Sequence, residues 1–113
     1  MHEYSVVEAL LDQCESEARK IGAEKIVKIV VKIGRLSGVV PELFESAYSV
    51  FSEDSKARGA ALEIRRQNVV AECGGCGHTE ELDELDFVCQ KCGGKEMRVL
   101  DGDSIILMSL EME

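Results

Sequence analysis

The sequence predicts an α+β fold: a three-stranded sheet with two helices on one face, and a four-cysteine module inserted between the last two strands. Three observations predict it. Two segments repeat apolar residues at three- and four-residue spacing, as helices do. Three others alternate them, as half-buried strands do. Between the second and third of these strands lie two Cys-x-x-Cys pairs, Cys73-Gly-Gly-Cys76 and Cys89-Gln-Lys-Cys92, separated by 12 residues.

Residues 5–21 read as the first helix, with Val7, Leu10, Leu11, Cys14, Ala18 and Ile21 on one stripe and Gly22 as its stop. Residues 25–33 read as a strand, with Val27, Ile29, Val31 and Ile33 on one face and Ile26, Lys28, Val30 and Lys32 on the other. After the loop Gly34-Arg35-Leu36-Ser37-Gly38, Pro41 opens a second helix, where a missing amide proton costs nothing. Leu43, Phe44, Ala47, Tyr48 and Phe51 form its apolar face, and it fades near Asp54. Leu62 and Ile64 begin a second strand that runs to about Val70. Residues 104–112 form the last, with Ile106, Met108, Leu110 and Met112 on one face and Ile105 and Leu107 on the other. Two units follow: an α+β domain of residues 1–70 and 99–113, and a zinc-ribbon-like module of residues 71–98. The two chain connections leave the module room to move relative to the sheet.

Each Cys-x-x-Cys pair is followed at once by glycine, Gly77 and Gly93. A Cys-x-x-Cys turn points both sulfurs at one centre, and the glycine lets the backbone fold back over them. Two such turns suit a closed tetrahedral site holding structural Zn(II) on Cys73, Cys76, Cys89 and Cys92. Disulfides and a rubredoxin-like iron site are the alternatives. Zinc thiolates favour a reducing cytoplasm, and the Met1-His2-Glu3-Tyr4 start has no basic region followed by an apolar run of the kind that directs secretion.

Composition narrows the function classes. Aromatic residues are 4% of the chain, so the core is aliphatic. No stretch is long and apolar enough to span a membrane. The net charge of −9 opposes nucleic-acid binding, which rests on Lys and Arg neutralising phosphates. From Glu72 to Asp86 the module carries Glu72, Glu80, Glu81, Asp83, Glu84 and Asp86 and no Lys or Arg. A zinc-ribbon regulator acting on nucleic acid is therefore disfavoured. This acidic run reads as a solvated surface. No phosphate-cradling Gly-rich loop with a Lys is present, and no nucleophile–base pair stands apart from the metal candidates, so no enzyme activity is expected.

The first residues form a second candidate site. A free α-amine at Met1, the His2 amide nitrogen and the His2 imidazole can chelate one ion in adjacent small rings. Planar nitrogen and oxygen donors suit Ni(II) or Cu(II) rather than tetrahedral Zn(II). A carboxylate or another amide can supply the fourth donor.

A Met1-His2-Glu3-Tyr4-Ser5 start, an amphipathic helix, the loop from Ile33-Gly34 to Ser37-Gly38, Pro41-Glu42-Leu43-Phe44 and the four module cysteines together resemble the HypA/HybF family of nickel metallochaperones. The resemblance covers the whole chain. It implies Ni(II) as transferred cargo at the N-terminus, with His2 the main ligand and Glu3 close by, and structural zinc on the four cysteines. It also implies delivery to a NiFe hydrogenase large subunit precursor in concert with the GTPase HypB, and in some bacteria service to urease maturation proteins. Some members of that family bring a carboxylate to nickel from the loop before the second helix. Here that stretch reads Val39, Val40, Pro41, and Glu42 is its first carboxylate, which leaves the fourth nickel ligand open among the Glu3 amide, the Glu3 side chain, Glu42 and water.

Two further residues stand near these sites. His78 follows the first cysteine turn and reads as exposed, as a hydrogen-bond partner of a zinc thiolate, or as a competitor for the metal. Cys14, on the apolar stripe of the first helix, reads as a buried, inert thiol.

Overall fold

The computed structural model describes residues 2–82 and 87–113, with His2 described by its backbone alone. Met1, the His2 side chain and Asp83, Glu84 and Asp86 of the acidic run therefore lie outside the described residues.

Helix α1 spans His2–Ile21. It starts earlier than residue 5, because the first amides of a helix need no intrahelical acceptor and Glu3 in the first turn suits the positive end of its dipole. Val7, Leu10, Leu11, Cys14 and Ala18 are buried as the stripe predicts, but Ile21 is exposed in the last turn. Gly22, at φ +72°, ends the helix. The Ala23 amide donates to the Ala18 carbonyl at 2.9 Å and the Gly22 amide to that of Arg19 at 3.3 Å, the paired bonds of a Schellman cap.

Strand β1 (Ile26–Gly34) is central in the first sheet, between β2 (Ala61–Gln67) and β6 (Ile105–Met112). It runs parallel to β2 and antiparallel to β6. Parallel neighbours need a crossover, and helix α2 (Pro41–Phe51), continued by a 3-10 turn at Ser52–Asp54, supplies it. Phe44, Ala47 and Tyr48 are buried on α2, whereas Leu43, predicted on its apolar face, is half exposed. The core joins α1, α2 and β1 through Val7, Leu11, Ile29, Val31 and Phe44, with Leu62 and Ile64 of β2 and four residues of β6 packed against it.

Two register shifts correct the predicted strand faces. One lies between Ile26 and Lys28 of β1, and Ile26, expected on the wetter face, is fully buried in the core. The other lies where Val30 pairs with Ser109 but Val31 with Leu107, which leaves Met108 as an extra residue. Past it the alternation changes phase, so Leu110 and Met112 join Ile105 and Leu107 on the core side, and Ile106 and Met108 are left exposed. A bulge inserts one residue and thereby inverts every later side chain of a period-two pattern.

The predicted second strand is two strands. It breaks at Asn68, and β3 (Val69–Cys73) belongs to a second sheet with β4 (Thr79–Leu82) and β5 (Met97–Asp101), ordered β4-β3-β5. This sheet has its own small core of Val69, Ala71 and Leu82, with Phe87, Met97 and Val99 against it.

Both connections between the sheets are bonded to the loop after β1. The Arg35 amide donates to the Gln67 carbonyl at 2.9 Å and the Leu36 amide to that of Gly102 at 2.7 Å. A Cβ on Gly34 would lie 2.4 Å from the Gly102 carbonyl carbon and oxygen, so only glycine fits there. Lys32 Nζ reaches Asp101 Oδ2 at 2.8 Å across the same joint. The two chain connections thus carry backbone bonds, an ion pair and close backbone packing at this joint.

Candidate metal centre

The two cysteine turns have the same construction. The Gly77 amide donates to the Cys73 carbonyl at 2.9 Å, and the Gly93 amide to that of Cys89 at 2.8 Å. The Cys73 amide then donates to the His78 carbonyl and the Cys89 amide to that of Gly94, both at 2.8 Å. Gly77 and Gly93 take φ of +77° and +73°, the left-handed backbone that this reversal demands and that favours glycine. β3 feeds the first turn and β4 leaves it, so the local sheet sets the first pair of sulfurs.

The turns bring the four sulfurs of Cys73, Cys76, Cys89 and Cys92 within 4.8 Å of one another. The Cys73–Cys92 and Cys76–Cys89 pairs are each 3.6 Å apart, too far for disulfide bonds, and all are free thiols. A tetrahedral ion with metal–sulfur bonds of about 2.3 Å sets its ligands roughly 3.8 Å apart. The donor set therefore fits a closed, four-coordinate metal. Among the described residues this is the one group of three or more His, Cys, Asp or Glu side chains whose donor atoms converge.

Backbone amides aim at the sulfurs. Gly75 N–H donates to Cys73 Sγ at 3.4 Å, Cys92 N–H to Cys89 Sγ at 3.5 Å and Gly94 N–H to Cys92 Sγ at 3.4 Å. The amides of Cys76 and Gly75 lower the Cys73 thiol to about 7, and the Cys92 and Lys91 amides lower that of Cys89. At Cys92 the amide bond from Gly94 is outweighed by the three neighbouring sulfurs, which push the thiol up to about 12. Four thiolates this close repel one another, and a bound cation removes that cost.

His78 is half-buried and outside the sulfur cluster; its described link to the site is the carbonyl that accepts from Cys73. The acidic run is more than a solvated surface. Glu80 Oε1 accepts from the Gln90 amide at 3.0 Å, tying β4 to the second cysteine turn, and Glu81 Oε1 accepts from Asn68 Nδ2 at 2.9 Å. Cys14 is buried, and burial raises its thiol to about 11, as an inert thiol requires.

At the N-terminus the structure adds a role that sequence reasoning missed. Glu3 is buried, and its Oε2 accepts from the Val40 amide at 3.2 Å, at the start of α2. The missed signal was Val40-Pro41: a helix that starts there has no Ser, Thr, Asp or Asn to cap it, so another chain segment can supply an acceptor. Glu42 is exposed and paired with Arg66; its own backbone amide and that guanidinium hold its carboxyl below the usual range. Both candidate carboxylates for the fourth nickel position thus already have protein partners.

Comparison with known proteins agrees with this construction. Residues 1–112 match the family model described as "Hydrogenase/urease nickel incorporation, metallochaperone, hypA". The hydrogenase maturation factor HypA of Shewanella sp. strain MR-7 is 44% identical over 113 residues, covering 100% of this chain and 96% of that one. The hydrogenase/urease maturation factor HypA of Helicobacter pylori is 42% identical, covering 99% and 97%. The solution structure of the Ni metallochaperone HypA from Helicobacter pylori superposes with a TM-score of 0.73 at 41% identity, over 97% of this chain and 96% of that chain. A second HypA solution structure gives 0.77 at 42% identity, over 100% and 97%. These are maturation factors rather than enzymes, and no described helix is long and apolar enough to cross a membrane. With its α+β architecture, its four-sulfur centre and its match along nearly the whole length, the chain belongs to the HypA family of nickel metallochaperones for hydrogenase and urease maturation.

Proposed function

We propose that this chain carries Ni(II) at its N-terminus, with His2 as principal ligand, and holds structural Zn(II) on Cys73, Cys76, Cys89 and Cys92. The observation that carries the nickel reading is the start of α1 at His2 within a family match that begins at residue 1. Backbone N–H groups at a helix start lack an intrahelical acceptor, so metal coordination by the His2 amide nitrogen costs the helix no hydrogen bond. Met1 contributes its α-amine, and Glu3 contributes its amide while its carboxylate keeps the Val40 contact. The Met1 α-amine, the His2 amide nitrogen, the His2 imidazole and the Glu3 amide then make up the four donors. Nickel belongs to the domain built on the first sheet, and zinc to the module built on the second, which spans 69–101. The zinc reading rests on four thiolate donors at tetrahedral spacing, the ligand set of closed structural zinc sites.

In this reading the nickel passes to a NiFe hydrogenase large subunit precursor with the GTPase HypB, and to urease maturation proteins where urease is made. The setting is the cytoplasm, where thiols stay reduced. The deciding experiment is metal content plus Ni(II) titration of the wild type, of His2→Ala and of a form with residues added before Met1. His2→Ala should lose stoichiometric nickel and keep its zinc. Added residues should weaken binding if the amine is a ligand. Affinity should fall as pH drops through the imidazole range, because imidazolium binds no metal. Unchanged nickel affinity in His2→Ala would place the site elsewhere.

A further inference from the structure

A pocket of about 290 Å³ opens between the loop after β1, the start of α2 and the end of β2. Its walls include the apolar Ile33, Val39 and Pro41, and the guanidinium-bearing Arg35 and Arg66 line it together with Asn68. Arg66 is paired with Glu42, so a carboxylate is already the group that this rim accepts. Arg35 is exposed, and among the described residues its guanidinium has no hydrogen-bond or ion-pair partner. Two arginines on one apolar pocket stand out in a chain of net charge −9. The same loop and the first turn of α2 also expose Leu36, Val40 and Leu43.

We propose that this pocket docks a segment of a partner polypeptide that presents an acidic side chain beside an aliphatic one. The carboxylate is taken by Arg35 and shared with Arg66, and the aliphatic group rests on Ile33, Val39 and Pro41. Arginine holds carboxylates through paired N–H bonds, and buried aromatic or arginine anchors with apolar surroundings dominate protein interfaces. The exposed Leu36, Val40 and Leu43 give such a segment more apolar surface than a free small acid would use. The pocket lies beside the backbone joint of residues 34, 68 and 102, so its occupant would touch Asn68, where the chain leaves the first sheet. The proposal rests on neither metal site.

The test is a nuclear magnetic resonance titration of the zinc-loaded full chain with the blocked peptide acetyl-Leu-Glu-Leu-amide. The matched Leu-Gln-Leu peptide and sodium acetate are the comparison ligands. The Glu peptide should shift the amides of Gly34, Arg35, Gln67 and Asn68 saturably. The Gln peptide should bind about tenfold more weakly, since the charge-assisted bonds are lost. Arg35→Met should weaken the Glu peptide by a similar factor, while Arg98→Met, on the second sheet, should not. Added salt should weaken binding as well. Equal binding of the two peptides, indifference to Arg35→Met, shifts located elsewhere, or no saturable shift would each overturn the proposal. Acetate giving the same shifts at the same concentration would reduce the site to simple anion binding and overturn it too.

Discussion

Residue 3 should matter to the fold as well as to any metal. Glu3 comes from the first turn of α1, yet its carboxylate receives the Val40 amide at the start of α2, at 3.2 Å. A hydrogen bond to a charged group contributes about 1.5–3 kcal/mol. Val40 is 44% exposed, so water can replace the lost partner and the low end applies. A carboxylate at a helix N-terminus adds about 0.3–1 kcal/mol through the dipole. Glu3→Ala should therefore cost about 2 kcal/mol, and Glu3→Gln, which keeps an acceptor but loses the charge, about 1 kcal/mol. For a chain of this size 2 kcal/mol lowers the melting temperature by on the order of 8 °C. The assay is thermal unfolding followed by far-ultraviolet circular dichroism on zinc-loaded protein without nickel. Metal coordination then plays no part in the result. Equal melting of Glu3→Ala and wild type would refute the anchoring role, and Glu3→Gln as unstable as Glu3→Ala would refute the graded loss.

Three other outcomes follow from the same geometry. Cys73→Ala or Cys92→Ala should abolish zinc binding and loosen hydrogen-exchange protection across the second sheet while the first sheet stays protected, because the core of Val69, Ala71 and Leu82 is too small to hold alone; module protection that survives would refute this. Gly34→Ala should destabilise by about 3 kcal/mol, the upper range for overpacking, because its Cβ meets backbone on the facing strand connection, measured by chemical denaturation. Asp101 has its pKa lowered from 3.8 by Lys32 and the Gly102 amide, so its stabilising effect is present above that value and lost as pH falls through the lower folded one; the melting difference between wild type and Asp101→Asn should be present at neutral pH and vanish in strong acid.

The sequence by itself determined what depends on near neighbours. The stripe of Val7, Leu10, Leu11, Cys14 and Ala18 specifies a buried helix face, because residues three and four apart share one side. The cysteine turns close through bonds within a few residues, from Gly77 to Cys73 and from Gly93 to Cys89, so their spacing alone announced the metal centre. Only the tertiary structure decided matters that depend on distant partners. The break at Asn68 separates strands that answer to different neighbours, β1 for one and β4 and β5 for the other. The bulge at Met108 exists because β6 must register against β1, and it inverted the face of Leu110 and Met112. Glu3 meets Val40 across 37 residues of chain, and Gly34 meets Gly102 across the joint of two sheets. No local pattern encodes such contacts, because they follow from where packing places segments that are far apart in sequence.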